Sequence, residues 1–226
     1  MKSKNSSFKI AVILTTVVLA IIAALVVINN LKSETTNESI LEKKLTIEGQ
    51  PTLGKSDAPV SVVEFGDFKC PSCKAWGETI FPKLVKDYVD TGKVKFSYIN
   101  ALFHGEESQL ASVAAESIFK NSPDAYWDFH KALFKEQPSQ NHDGLWITHK
   151  KILEVANGVT GTNVDKLKSD IEQESVMEEV NKDTELVEEF NIQQTPTIVV
   201  NGKMLEDPFD YEKIKGLIEK DLEGKQ

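Results

Sequence analysis

The chain contains only two cysteines, Cys70 and Cys73, and Pro71 and Ser72 separate them. An apolar run at residues 60–65 precedes the pair and predicts a short buried strand. Apolar residues that recur at helical spacing follow the pair and predict a helix: Trp76, Ile80, Phe81, Leu84, Val85 and Tyr88. The cysteines therefore lie where a buried strand passes into a helix, and the fold has to accommodate this junction.

The start of this helix suits a reactive thiolate. Pro71 is favourable at the first helical position, because it has no N–H group there and its φ is already set. Cys70 then occupies the N-cap, where free N–H groups and the helix dipole stabilise an anion and lower the pKa of a thiol. Cys73 lies one turn further on, close enough to form a disulfide with Cys70. The sequence thus predicts a redox pair in which a substrate thiolate attacks the Cys70 sulfur.

Two other interpretations of the cysteine pair remain open. An inert structural disulfide is one, although such a bridge rarely lies at a helix N-terminus with a proline between its cysteines. Half of a zinc site is the other, and it needs two further ligands. No pair of histidines has the usual spacing of three to five residues among the candidates: His104, His130, His142 and His149.

The rest of the chain alternates strands and helices. Residues 94–98 alternate apolar and polar side chains and predict a second strand, and residues 106–190 have helical periodicity throughout. Residues 197–200 predict a third strand, and the Asn201-Gly202 dipeptide after it is a strong hairpin signal. The predicted order is strand, helix, strand, about 85 residues of helices, hairpin and a closing helix.

The amino terminus predicts a membrane anchor. Residues 10–28 include nothing more polar than Thr15 and Thr16 and correspond to roughly 29 Å of helix, close to the thickness of a bilayer core. Residues 1–9 carry Lys2, Lys4 and Lys9 and should stay in the cytoplasm, whereas residues 29–48 are polar and predict a tether. A cleaved signal peptide is the alternative. In both cases the remaining domain would lie outside the cytoplasm, where disulfides persist.

The charge of the chain argues against a nucleic acid partner. The sequence has 26 lysines and no arginine against 35 acidic residues, which gives a formal net charge of −9. Phosphate binding needs clustered cations. We therefore expect no nucleic acid partner.

Two segments carry a family resemblance. GKSDAPVSVVEFGDFKCPSC at 54–73 and QQTPTIVVNG at 193–202 resemble the DsbA family of thioredoxin-fold oxidases, and within it the membrane-anchored members of Gram-positive bacteria. The resemblance covers roughly residues 50–226 and the anchor. It implies the α/β class, with a thioredoxin fold at 49–105 and 191–226, an inserted all-helical domain at 106–190 and one preceding transmembrane helix.

The resemblance also assigns roles to residues around the cysteines. Pro196 matches the family's cis-proline beside the disulfide, and Thr195 presents its backbone to the bound substrate, next to Pro71 and Ser72. Glu64 matches the family's buried acid and would carry the proton of Cys73, while a solvated strand face is the simpler alternative for this side chain. Ser72 replaces the histidine of DsbA itself, which removes a cationic partner of the Cys70 thiolate.

The implied activity is an extracytoplasmic thiol:disulfide oxidase that introduces disulfides into exported proteins through the Cys70–Cys73 pair. Its implied partners are reduced exported proteins and a quinone-coupled membrane reoxidase of the BdbC/DsbB type. The similar Gram-positive members bind calcium, and their ligands match Gln50, through its backbone oxygen, Glu116 and Asp183. The alternatives are a reductase, for example in cytochrome c maturation, and a chaperone-like binding module with a structural disulfide.

Overall fold

A computed structural model describes residues 14, 17, 18, 38–41 and 43–224. The chain divides into two compact units, Met1–Glu38 and Ser39–Gln226. In the first unit Leu14, Val17 and Val18 are helical. The other residues of the predicted anchor, 10–28, lie outside the described residues. Within the described ranges, no helix has both the length and the apolar character needed to span a membrane.

The strands form a six-stranded mixed sheet in the order β1-β6-β5-β3-β4-β2. Strands β3 and β4 are parallel, and the pairs β2–β4, β3–β5 and β5–β6 are antiparallel. The strands are β1 (Glu38–Ile40), β2 (Thr52–Leu53), β3 (Val60–Gly66), β4 (Val94–Asn100), β5 (Thr197–Val200) and β6 (Lys203–Leu205).

Helices connect these strands in the order that the sequence predicts. The parallel strands β3 and β4 are joined by α1 (Pro71–Thr79) and α2 (Phe81–Leu84), which continues as a π-helix at Val85–Val89. Five helices lie between β4 and β5: α3 (Glu106–Asn121), α4 (Tyr126–Glu136), preceded by a 3₁₀ turn, α5 (His149–Asn157), α6 (Val164–Gln173) and α7 (Met177–Glu189). The chain closes with α8 (Tyr211–Glu223).

The two faces of the sheet bury different sets of side chains. Val60 and Val62 of β3 belong to the main core, to which all eight helices contribute, whereas Val63 and Phe65 belong to a second, smaller core. Successive side chains of a strand point to opposite faces. Glu64 therefore lies on the same face as Val62, which is the face that α1 covers.

Two local predictions from the sequence are confirmed. The hairpin between β5 and β6 turns at Asn201 and Gly202, with φ values of 45° and 84°, as Asn-Gly turns require. The closing helix begins at Asp210, whose carboxylate accepts a hydrogen bond of 2.9 Å from the Lys213 N–H.

The segment predicted as a tether at 29–48 is partly folded. Its described part contains β1, and Leu41, Leu45 and Ile47 pack against the second core. The sheet thus begins before residue 49, because these apolar side chains, though scattered among charged ones, reach one face of the sheet.

Candidate active site

Cys70 and Cys73 lie at the start of α1, and both are free thiols. Cys70 is the N-cap residue, with φ −73° and ψ 121°, and Pro71 is the first helical residue, as the sequence predicts. The Cys70 carbonyl accepts a hydrogen bond of 3.3 Å from the Lys74 N–H. Cys70 retains 6% of its accessible surface and Cys73 retains 1%. An incoming thiolate therefore reaches the Cys70 sulfur first.

The Cys70 thiol is the acidic member of the pair. A hydrogen bond from the Cys73 side chain lowers the pKa of Cys70 to about 6, against the opposing effect of burial. The pKa of Cys70 is lowered further by a side-chain hydrogen bond with Thr195 and by the backbone N–H groups of Cys73 and Ser72. The exposed Ser72 thus contributes through its backbone, at the helix N-terminus.

Cys73 has the opposite character. Burial, followed by the hydrogen bond to Cys70 and the charge of Glu64, raises the pKa of Cys73 well above its usual value. The Asp67 N–H, 3.4 Å from the Cys73 Sγ, acts in the other direction. At neutral pH the pair therefore consists of a thiolate at position 70 and a thiol at position 73.

Glu64 is buried in the middle of β3 and retains 3% of its accessible surface. It lies opposite Tyr98 of β4 and Ile198 of β5. Burial, followed by the negative charge of Cys70, raises the pKa of Glu64 well above its usual value. A solvated strand face is thus excluded for this side chain, and its environment favours the protonated carboxyl group.

Thr195 and Pro196 lie directly beside the cysteines. The Cys70 Sγ lies 3.4 Å from the Thr195 carbonyl oxygen, to which the protonated thiol donates, across 125 residues of sequence, and the peptide bond between Thr195 and Pro196 is cis. Pro196 is buried, whereas Thr195 and Pro71 are half-buried and Ser72 is exposed. The four residues predicted from the resemblance to contact substrate thus surround or adjoin the Cys70 sulfur.

The three residues predicted as calcium ligands are also brought together, although the contacts of Gln50 run through its side chain, and its backbone oxygen, the predicted donor, accepts a hydrogen bond of 3.0 Å from the Thr52 Oγ1. Gln50 Nε2 donates to the Asp183 Oδ1 at 2.6 Å, and the Asn100 Nδ2 donates both to Asp183 Oδ2, at 2.7 Å, and to Glu116 Oε1, at 2.9 Å. The cluster borders a cavity of about 520 Å³. Asn100, at the end of β4, is the member that the sequence analysis missed, since nothing in its neighbourhood marks it.

This cluster fits a hard divalent cation. The amide oxygens of Gln50 and Asn100 are buried without a hydrogen-bond partner. Burial, followed by the charge of Asp183, raises the pKa of Glu116 to about 8, and burial raises that of Asp183 to about 6. Two close carboxylates and free amide oxygens are the donors that calcium prefers. The described residues contain no group of three His, Cys, Asp or Glu side chains that could hold a metal, so such a site would depend on the amide oxygens.

Asp67 is the other residue near the cysteines that the sequence analysis missed. It follows β3, retains 2% of its accessible surface and hydrogen-bonds to groups around both cysteines. An acidic residue between an apolar strand and a cysteine pair was the available signal.

The chain is similar in sequence to disulfide bond formation proteins. The family model named Thioredoxin matches residues 46–220. The chain is 47% identical over 196 residues to the disulfide bond formation protein D of Bacillus subtilis, covering 87% of each chain. It is 34% identical over 225 residues to the probable disulfide bond formation protein D of Bacillus anthracis, covering 98% of this chain and 99% of that protein.

A solved structure gives the same result. The crystal structure of oxidised BdbD from Bacillus subtilis superimposes with a TM-score of 0.78 at 45% identity, and the match covers 82% of this chain and 99% of that one. The family match at residues 46–220 includes β2 to β6, the helices between β4 and β5, and the cysteine pair.

Proposed function

The chain belongs to the thioredoxin family and is a thiol:disulfide oxidoreductase with a thioredoxin-like α/β fold, and from this premise we propose that it oxidises reduced exported proteins. The observation that carries the proposal is the asymmetry of the pair, in which the pKa of Cys70 is lowered to about 6 and that of Cys73 is raised. A stabilised Cys70 thiolate favours the reduced protein and thereby makes its disulfide an oxidant.

The geometry supports a two-step exchange. A substrate thiolate attacks the Cys70 sulfur of the disulfide, the bond between Cys70 and Cys73 breaks, and Cys73 leaves with the electron pair. A second substrate thiolate then attacks the substrate sulfur of the mixed disulfide and releases Cys70 as a thiolate. The substrate loses two electrons and the protein gains them. Cys70 is a good leaving group because its pKa is low.

Thr195, Pro196, Pro71 and Ser72 form the proposed substrate platform. The Thr195 carbonyl oxygen is 3.4 Å from the Cys70 Sγ, so an extended substrate chain bonded to this sulfur would lie along the Thr195 backbone. Ser72 is exposed beside the same sulfur and lets the substrate approach.

The equilibrium with glutathione tests the direction of the reaction. We expect the purified protein to have a potential more oxidising than roughly −270 mV, because the stabilised Cys70 thiolate favours the reduced form, and a value near roughly −120 mV is that of a strong oxidant. A value near roughly −270 mV would favour the alternative of a reductase.

Glu64 is the proposed proton carrier for Cys73. When Cys73 leaves as a thiolate it needs a proton, and Glu64 is a buried acid whose charge acts on Cys73. Glu64→Gln keeps the shape but cannot give up a proton. We expect slower oxidation of a reduced test protein, by roughly tenfold or more, with little change in the glutathione potential. A rate equal to that of the unchanged protein would remove this role.

We also propose that Gln50, Glu116 and Asp183, with Asn100, hold a calcium ion, which would contribute charge to offset the two buried carboxylates. Calcium should then raise the thermal unfolding temperature of the protein, since it binds only the folded state. Asp183→Asn removes one charge from the site and should abolish this increase, whereas Asp170→Asn, at a buried carboxylate elsewhere, should retain it. An unfolding temperature that calcium does not change would contradict the site.

The organisation along the chain completes the proposal. Residues 1–9 would be a cytoplasmic tail and 10–28 an uncleaved transmembrane anchor. The thioredoxin-like parts at 49–105 and 191–226, together with β1 and the residues after it, would enclose a helical insertion at 106–190. An anchored protein facing outward would be reoxidised by a quinone-coupled membrane partner of the BdbC/DsbB type. Sedimentation of the full-length chain with membranes after an alkaline wash tests the anchor.

A further inference from the structure

Asp67 contacts both cysteines through its backbone. Its N–H donates to the Cys73 Sγ at 3.4 Å, and its carbonyl oxygen accepts a hydrogen bond of 3.0 Å from the Cys70 N–H. The peptide groups of this one residue therefore border both sulfur-bearing residues, on the side where β3 ends.

The Asp67 side chain fixes these peptide groups. Its Oδ1 accepts a hydrogen bond of 2.8 Å from the Lys69 N–H, within the turn that leads to Cys70. Its Oδ2 accepts hydrogen bonds from the Phe103 N–H at 3.0 Å and the Ser108 Oγ at 2.8 Å, and it lies 2.7 Å from the His104 Nδ1. A buried carboxylate is stable only with such donors, and charge-assisted bonds of this kind are strong.

The partners of the carboxylate belong to two parts of the fold. Lys69 lies in the turn before α1, whereas Phe103, His104 and Ser108 lie in the loop after β4 and the first turn of α3. The side chain thus connects the turn at residues 67–70, which we call the cysteine turn, to the loop after β4 and the start of α3. The Asp67 N–H belongs to the peptide group whose Gly66 carbonyl oxygen accepts a hydrogen bond of 2.7 Å from the Ala101 N–H, and the carboxylate bonds hold the Asp67 Cα at the other end of this group.

We propose that Asp67 is a positioning residue for the step in which Cys73 attacks a mixed disulfide at Cys70. In this step the Cys73 thiolate attacks the Cys70 sulfur, the protein disulfide forms, and the bound thiol leaves with the electron pair. The Asp67 N–H stabilises the Cys73 thiolate that the step requires and holds it towards Cys70. The inference rests on the proposed redox role of the pair but not on the direction of net oxidation.

Oxidised glutathione isolates this step. The Cys70 thiolate of the reduced protein attacks oxidised glutathione, which gives a mixed disulfide and one glutathione thiolate. Cys73 then releases the second glutathione. Acid quenching and mass spectrometry at successive times give the rate of formation of the mixed disulfide and its lifetime.

Asp67→Ala removes every hydrogen bond of the carboxylate but keeps the backbone N–H and carbonyl groups of residue 67. We expect the mixed disulfide to persist roughly ten- to a hundredfold longer, because a small displacement of a reacting group has an effect of this size. Its formation should be slowed much less than its resolution, because the Cys70 thiolate keeps the backbone N–H donors of Ser72 and Cys73 even where the Cys73 side chain is displaced.

Asp170→Ala is the matched control. Asp170 of α6 is fully buried and accepts hydrogen bonds from Ser117, Asn121, Ser175 and Lys166, all outside the cysteine turn. This variant should lose a similar free energy of unfolding and keep the wild-type lifetime. A role of Asp67 in stability alone would give the same result for both variants, and a wild-type lifetime in folded Asp67→Ala overturns the proposal.

Asp67→Asn keeps the inference testable if the alanine variant does not fold. The amide oxygen can still accept one N–H bond, so we expect rescue to a lifetime between those of wild type and alanine, at least about threefold longer than wild type. A wild-type lifetime here would equally overturn the role. A reducing glutathione potential, by contrast, would reject the oxidase function and leave the result for Asp67 standing.

Discussion

Oxidation of a reduced test protein is expected to fall to the uncatalysed rate in Cys70→Ser. The serine hydroxyl does not form a mixed disulfide, and the remaining Cys73 thiol retains 1% of its accessible surface and has a raised pKa. The measurement is the rate at which a reduced, unfolded protein with two cysteines regains its disulfide. A chaperone-like binding module would keep its activity in this variant, so undiminished activity would favour that alternative.

Cys73→Ser provides the matched control. This variant keeps the Cys70 thiolate but lacks the group that attacks the mixed disulfide. We expect a covalent complex with a disulfide-containing test protein, visible on a non-reducing gel and absent from Cys70→Ser. Covalent complexes at Cys73 rather than Cys70 would contradict the assignment of the two roles.

The second large effect concerns the pH at which Cys70 becomes reactive. The alkylation rate of the reduced protein should rise with a midpoint near pH 6, whereas an ordinary thiol titrates near about 8.5. At pH 7 about nine tenths of Cys70 would then be thiolate, against a few per cent of a free cysteine. A midpoint near 8.5 would contradict a stabilised thiolate and with it the proposed oxidase.

The same shift determines how the stability of the reduced protein changes with pH. The folded state binds fewer protons at Cys70 than the unfolded chain between pH 6 and the pKa of the unfolded thiol. The stabilisation by the thiolate is therefore complete above the unfolded pKa and is lost as the pH falls through about 6. Cys73→Ala removes the hydrogen bond that lowers the pKa most and should move the alkylation midpoint upward.

The sequence alone predicted the helix caps and the turn, whose formation depends only on residues adjacent in the chain. The N-cap at Cys70, the turn at Asn201 and the cap at Asp210 follow from local chemistry, and the structure has all three. The helices between β4 and β5 follow from periodicity. The second half of the predicted tether was misjudged because the few apolar residues among its charges face a sheet that local pattern does not show.

The sequence by itself determined that a thiol at the start of a helix has a second thiol one turn away, because helix geometry and dipole act over a few residues. Only the tertiary structure decided that Cys73 stays protonated and which groups surround the pair. The Thr195 carbonyl oxygen, the buried carboxyl of Glu64 and the donors around Asp67 come from separate parts of the chain. Their effects depend on distance and burial, which arise when the sheet and helices pack together.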